Sequence, residues 1–155
     1  MKRIYIVLII IVLLFTGCNN EKEEVKSEYL TMKSKLLKVK EFNSNEDINF
    51  DILVSVDRVD EENVSYKMVL SNPMENMHDI KAILIHNYYT EDVFPSIGLF
   101  DKVKSMHINS NDSIDLEGVI KTDKSIDNLG LILKLYVKYL DDYGNEKSIY
   151  YKTTK

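Results

Sequence analysis

Between Ile48 and Val56 the apolar side chains fall on every second residue: Ile48, Phe50, Ile52, Val54 and Val56 are separated by Asn49, Asp51, Leu53 and Ser55. Successive side chains of a β-strand point to opposite faces, so a period of two predicts a half-buried strand with one face in a core. Val64, Tyr66, Met68 and Leu70 repeat the pattern before Ser71-Asn72-Pro73 stops the ladder. Ile80–Tyr89 differs, because Ile83, Leu84 and Ile85 are apolar on both faces, as a central strand requires. Further strand patterns cover Val103–Ile108, Ile114–Ile120 and Leu131–Leu140, and Asp141–Asn145 reads as a hairpin turn into Ile149–Tyr151. An initial strand is expected near Leu37–Phe42. No stretch after residue 36 has a helical period. The expected fold is all-β, an antiparallel two-sheet sandwich of about seven to eight strands.

Composition agrees with one globular domain. Of 155 residues, 45% are hydrophobic and 29% charged, with 5 Gly and 2 Pro, which excludes a disordered or collagen-like chain. A net charge of -5 lacks the basic footprint that nucleic-acid binding needs, so no nucleic-acid partner is expected.

The N-terminus has the layout of a secretory leader. Met1-Lys2-Arg3 is a basic start, and Ile4–Phe15 is an apolar run that spans ~18 Å as a helix, short of a ~30 Å hydrocarbon core. The run ends in Phe15-Thr16-Gly17-Cys18, and Cys18 is the only cysteine, so no intramolecular disulfide is available. This tetrapeptide resembles the lipobox of bacterial lipoproteins, with Phe15 in place of the favoured Leu. The resemblance implies a diacylglycerol on the Cys18 thiol, cleavage before Cys18, further acylation such as palmitate, and a covalent lipid partner in the membrane. It divides the chain into a signal peptide over 1–17, a lipidated Cys and charged tether over 18–36, and the sandwich over 37–155. A Cys18 sulfur held as a thioether cannot serve as a nucleophile. The implied location is the extracytoplasmic face of a cell membrane, within the cell envelope.

The strand arrangement looks like the immunoglobulin-like sandwiches of extracytoplasmic bacterial lipoproteins, without the Cys…Trp…Cys core of antibody domains. Ser71-Asn72-Pro73-Met74 and Phe94-Pro95-Ser96-Ile97-Gly98 are similar to segments of uncharacterised lipoproteins of Gram-positive bacteria. Neither likeness implies an activity, because sandwiches host many unrelated functions.

Ahead of the sandwich, Val25, Tyr29, Met32 and Leu36 recur at helical spacing. Two readings follow: an amphipathic helix that binds a partner, or a solvated and partly helical tether. The narrowness of the stripe favours the tether.

Candidate chemistry is sparse. Met74, Met77 and His78 share one segment, and Met106-His107 is a second; thioethers and imidazoles together would suit Cu(I) if they converged. Methionine equally serves as core filler. His86 lies in the doubly apolar strand, where a packed imidazole with one hydrogen bond is the simpler reading. Nothing resembles G-x-S-x-G or H-E-x-x-H, so a hydrolase would need a site assembled in space. The carboxylates Asp112, Asp115 and Glu117, and Asp141, Asp142 and Glu146, lack EF-hand spacing and read as turn and surface residues. The segment Asp92–Phe100 is unusually apolar for a loop, through Val93, Phe94, Ile97, Leu99 and Phe100. It is either a plug over one end of the core or an exposed patch for a partner, and Pro95 and Gly98 shape it in both cases.

The functional expectation is a non-enzymatic binding or interaction module that needs no cofactor. Phe94, Pro95, Ile97, Leu99 and Phe100 would meet an envelope protein or peptide. The alternative is a ligand-handling lipoprotein that binds a metal such as copper or sequesters a toxic peptide as an immunity protein. An enzyme ranks third.

Overall fold

The computed structural model describes residues 22–155, so the leader and Cys18 lie outside the described residues. It contains one helix, α1 (22–38), and eight strands. The strands are β1 (Asp51–Arg58), β2 (Asn63–Ser71), β3 (Met77–His86), β4 (Ser96–Ile97), β5 (Lys104–Met106), β6 (Ser113–Lys121), β7 (Ile132–Leu140) and β8 (Glu146–Thr154). One sheet has the order β1-β2-β6. The other has the order β4-β3-β7-β8, with β5 also pairing with β3. Every pairing is antiparallel. The expected two-sheet sandwich is the observed architecture.

The alternations sort as the pleat demands. Val64, Tyr66, Met68 and Leu70 of β2 face Ile80, Ala82 and Leu84 of β3 and Leu133, Leu135, Val137 and Tyr139 of β7 in one core between the sheets. Strand β1 is an edge strand, and its Ile52, Val54 and Val56 are only half buried against that core. Ile48 and Phe50 are buried but precede the strand, following a 3-10 turn at Asn45–Asp47. The β7–β8 hairpin closes where expected, with Gly144 donating to the Asp141 carbonyl. Asp141 accepts the amides of Tyr143 and Asn145, which stabilises the turn by the usual Asx chemistry.

Two expectations are corrected. Residues 37–42 form no strand: residues 37 and 38 complete α1, and the chain then runs without regular secondary structure to Asn43, whose amide donates to Tyr150 O at 2.8 Å. Residues 22–36 do not form a solvated, partly helical tether. They lie in a continuous helix whose stripe is buried in a second core, where Tyr29, Met32 and Leu36 meet Ile83, Ile85, Leu99 and Tyr136. The helix therefore covers the outer face of the larger sheet, giving the order helix, sheet, sheet. This accounts for the two apolar faces of β3: Leu84 points between the sheets while Ile83 and Ile85 point at α1. Each large side chain so buried contributes ~1.5–3 kcal/mol.

Ion pairs fix the rotation of α1 on the sheet. Glu28 accepts from Lys81 Nζ at 2.7 Å and from Lys138 Nζ at 3.3 Å, and Lys138 also reaches Glu146 at 3.3 Å. Partial burial of Glu28 opposes its charge, but the two ammoniums outweigh that and hold the carboxyl below its ordinary value.

Candidate functional site

The segment after β3 is where the sandwich, the helix and the candidate partner loop meet. Backbone geometry holds it. The Pro95 carbonyl accepts from Leu84 N at 3.0 Å, and Ser96 and Ile97 pair with Ile83 and Ala82 as β4. Gly98 has a φ of 71°, and a Cβ at that position would lie 2.2 Å from the Ile80 carbonyl oxygen, so only glycine fits. Its amide donates to Asp101 Oδ1 at 2.6 Å.

Plug and patch are both present, divided by residue. Ile97 joins the core between the sheets and Leu99 joins the core under α1. Phe94 is half buried, with its ring 5.0 Å from that of His86, its amide donating to the Tyr29 hydroxyl at 3.0 Å, and Lys33 Nζ 4.8 Å over its face. Pro95 is half buried. Phe100 is 55% exposed and Val93 64% exposed.

The two exposed side chains flank a groove of about 750 Å³ between the loop and α1. Val25, Tyr29 and Leu30 form its helical wall, and Val93 and Phe100 its loop wall. The Tyr29 and Phe100 rings lie 5.3 Å apart. Lys22, Lys26 and Lys33 stand along one rim, against Glu91 and Asp92 on the other. An apolar floor between rims of opposite sign suits an apolar segment with polar ends. Sequence reasoning located the loop wall but missed the helical wall. The signal for the missing wall was the double apolar face of β3, which required a cover that the stripe of α1 supplies.

His86 is a packed residue. Its Nδ1 accepts from the Tyr88 amide at 3.2 Å and its ring meets Tyr66 edge-on at 5.2 Å. Burial pushes its pKa below the ordinary histidine value.

The convergence of Met74, Met77, His78 and His107 that a Cu(I) site would need is present only for the two histidines. Met77 and Met106 are cross-strand partners in β3 and β5 and both lie in the core. Met74 is exposed beside Asn45, Ile48 and Phe50. No thioether accompanies the imidazoles in this arrangement. His78 and His107, each next in sequence to a core methionine, stand together at the surface with ring centres 6.0 Å apart. His78 Nε2 donates to Asp142 Oδ1 at 2.9 Å, and His107 Nδ1 donates to Asp112 Oδ2 at 3.2 Å. Bonds from Ser110 and then His107 hold the Asp112 carboxyl below its ordinary value, and bonds from His78 and then Asn76 do the same for Asp142. Asp115 instead pairs with Lys67 at 2.6 Å on the outer face of the smaller sheet.

No protein-family model matches the sequence, and comparison with curated proteins and with solved structures finds no match either. The class defined by the fold is thus an antiparallel two-sheet sandwich with one covering helix. Among the described residues no helix is long and apolar enough to cross a membrane.

Proposed function

We propose that the protein is a lipid-anchored, non-enzymatic binding module on the extracytoplasmic face of a bacterial membrane, and that the groove between α1 and the 91–100 loop receives an apolar peptide segment of an envelope partner. The observation that carries this reading is the clustering of three large exposed apolar side chains around one concave site: Leu30, Val93 and Phe100. Scattered exposed apolar residues are ordinary, whereas a concave apolar cluster with a charged rim is the usual form of a recognition site. Tyr29 adds a rigid aromatic with its hydroxyl already engaged, which lowers the entropy lost on binding.

The resemblance of residues 15–18 to a lipobox supplies the location. Cys18 precedes Lys22, the first described residue of α1, by four positions, a reach of at most ~14 Å. An acylated Cys18 would therefore hold the groove close to the bilayer surface, where partner segments emerge. Two or three acyl chains give stable anchorage, since each buried CH₂ contributes ~0.8 kcal/mol.

The test is site-specific photocrosslinking of the full chain in its native membranes. A benzophenone side chain replaces Phe100, or as a control Leu53, which is exposed on β1 of the smaller sheet. A saturable adduct from position 100 is expected. It should be absent from position 53, and Val93→Asp should reduce it at least tenfold. Equal labelling from both positions, or none from position 100, overturns the reading. Metabolic labelling with a palmitate analogue tests the anchor separately: Cys18→Ala should abolish incorporation, and retained incorporation refutes lipidation there.

A further inference from the structure

We infer that His78 and His107 form an open binding site for a late first-row divalent cation, Zn²⁺ or Cu²⁺, held by one nitrogen of each ring with water completing the coordination shell.

The placement follows from the strand pairing. Met77 opposes Met106 in the core, while His78 and His107, the residues next to them, stand partly exposed with their rings together, so the repeated Met-His dipeptide becomes a methionine pair inside and a histidine pair at the surface. A Zn–N bond of ~2.0–2.1 Å places a ligating ring centre ~3.2 Å from the ion, so two such rings stand ~5 Å apart at a tetrahedral N–Zn–N angle and ~6 Å apart only at a much wider one. The observed separation is 6.0 Å.

The hydrogen bonds select the tautomers. Carboxylates only accept when ionised, so Asp142 fixes the proton of neutral His78 on Nε2, and Asp112 fixes that of neutral His107 on Nδ1. His78 Nδ1 and His107 Nε2 make no hydrogen bond among the described residues, and each keeps a lone pair. A metal-ligating histidine typically donates its second nitrogen to a carboxylate, which sets the tautomer and raises ligand basicity. Both histidines carry that feature, from carboxylates on two different loops. Asn76 ties the loops together: its Nδ2 donates to Asp142 at 3.1 Å and its Oδ1 accepts from Ile108 N at 3.0 Å. Among the described residues no group of three or more His, Cys, Asp or Glu side chains is gathered as a closed centre needs. The site is accordingly a two-nitrogen one with exchangeable positions, and both histidines are solvent-accessible. Imidazole ligands suit Zn²⁺ and Cu²⁺, with Cu²⁺ the tighter. The soft thioethers of Met77 and Met106 are turned away.

The test titrates Zn²⁺ and, separately, Cu²⁺ into untagged full chain in detergent, carrying Cys18→Ser so that no free thiol competes. Calorimetry should show one saturable site of micromolar affinity. His78→Ala and His107→Ala should each weaken it at least tenfold, with the double variant little worse than either. Asp142→Asn should weaken it about tenfold, while His86→Ala and Met77→Leu leave it unchanged. The chain has only 3 histidines, so imidazole nitrogen spectra should show His78 and His107 shifting and His86 still. Binding of neither ion to the folded protein overturns the inference. So does binding that both alanine variants retain, or binding that Met77→Leu removes.

Discussion

Leu36→Ala tests whether α1 is part of the folded domain. Leu36 is fully buried in the core between α1 and the larger sheet, whereas its neighbour Leu37 is 57% exposed. The two substitutions remove the same atoms from adjacent positions with the same helix propensity, so their difference isolates packing. Truncating a buried Leu to Ala costs ~2–5 kcal/mol, the lost transfer energy plus the cavity left behind. Leu36 sits in a small second core bounded by Ile83, Ile85, Leu99 and Tyr136, where side chains can relax only partly. We therefore expect a loss of ~3 kcal/mol. Surface changes such as Leu37→Ala usually stay within ~0.5 kcal/mol. Urea unfolding of the full chain in detergent, followed by far-UV circular dichroism, reads both. With a slope of ~1–3 kcal/mol/M, Leu36→Ala should lower the midpoint by ~1–3 M. Against a total stability of ~5–15 kcal/mol this is a large fraction. Equal midpoints for the two variants would refute the docking of α1 and return residues 22–36 to the status of a tether.

Three further outcomes are expected. Glu28→Gln should destabilise by ~1 kcal/mol at pH 7, because it leaves Lys81 and Lys138 without their shared carboxylate. The folded pKa of Glu28 lies below its ordinary 4.5, so its stabilisation is present above pH 4.5 and is lost as pH falls through the folded value. Paired urea titrations from pH 7 to pH 3 should show the wild-type advantage shrinking only below 4.5, and an unchanged gap refutes the ion pair. Gly98→Ala should cost more than Gly144→Ala in thermal unfolding. Both residues have positive φ, worth ~1–2 kcal/mol, but only Gly98 would also press a Cβ onto a carbonyl oxygen; equal penalties would contradict the close approach of β4 to Ile80. His86 is depressed below 6.5 by burial, so the unfolded chain takes up its proton first and stability declines as pH falls from 6.5. His86→Gln should flatten the stability profile just below that pH, and a wild-type slope in the variant would rule out His86 as its source.

The alternations of β2, β6 and β7 were legible from residue order alone, because burial on one face imposes a period of two that no other element shares. The β7–β8 hairpin was legible for a similar local reason, since Asp141 and Gly144 carry the turn within their own chemistry. Residues 37–42 misled because the brief alternation of Leu37 and Val39 with Lys38 and Lys40 fits a helix end, a connection or a strand equally well, and only the partner decides. The stripe of α1 was visible at Val25, Tyr29, Met32 and Leu36, but its partner was not. Burial of Ile83 and Ile85 beneath it is a contact between segments some fifty residues apart, and periodicity carries no information about such distances. The groove inherits that limit: Phe100 and Val93 were readable as unusually apolar, while Leu30 and Tyr29 became part of the site only when α1 docked. The histidine pair shows the same division. Sequence order determined that each histidine directly follows a methionine, so that burying the one tends to leave the other at the surface. Which strands would pair, and therefore that the two histidines would meet, was decided by the tertiary structure, because register arises from the packing of whole sheets and is not a property of either dipeptide.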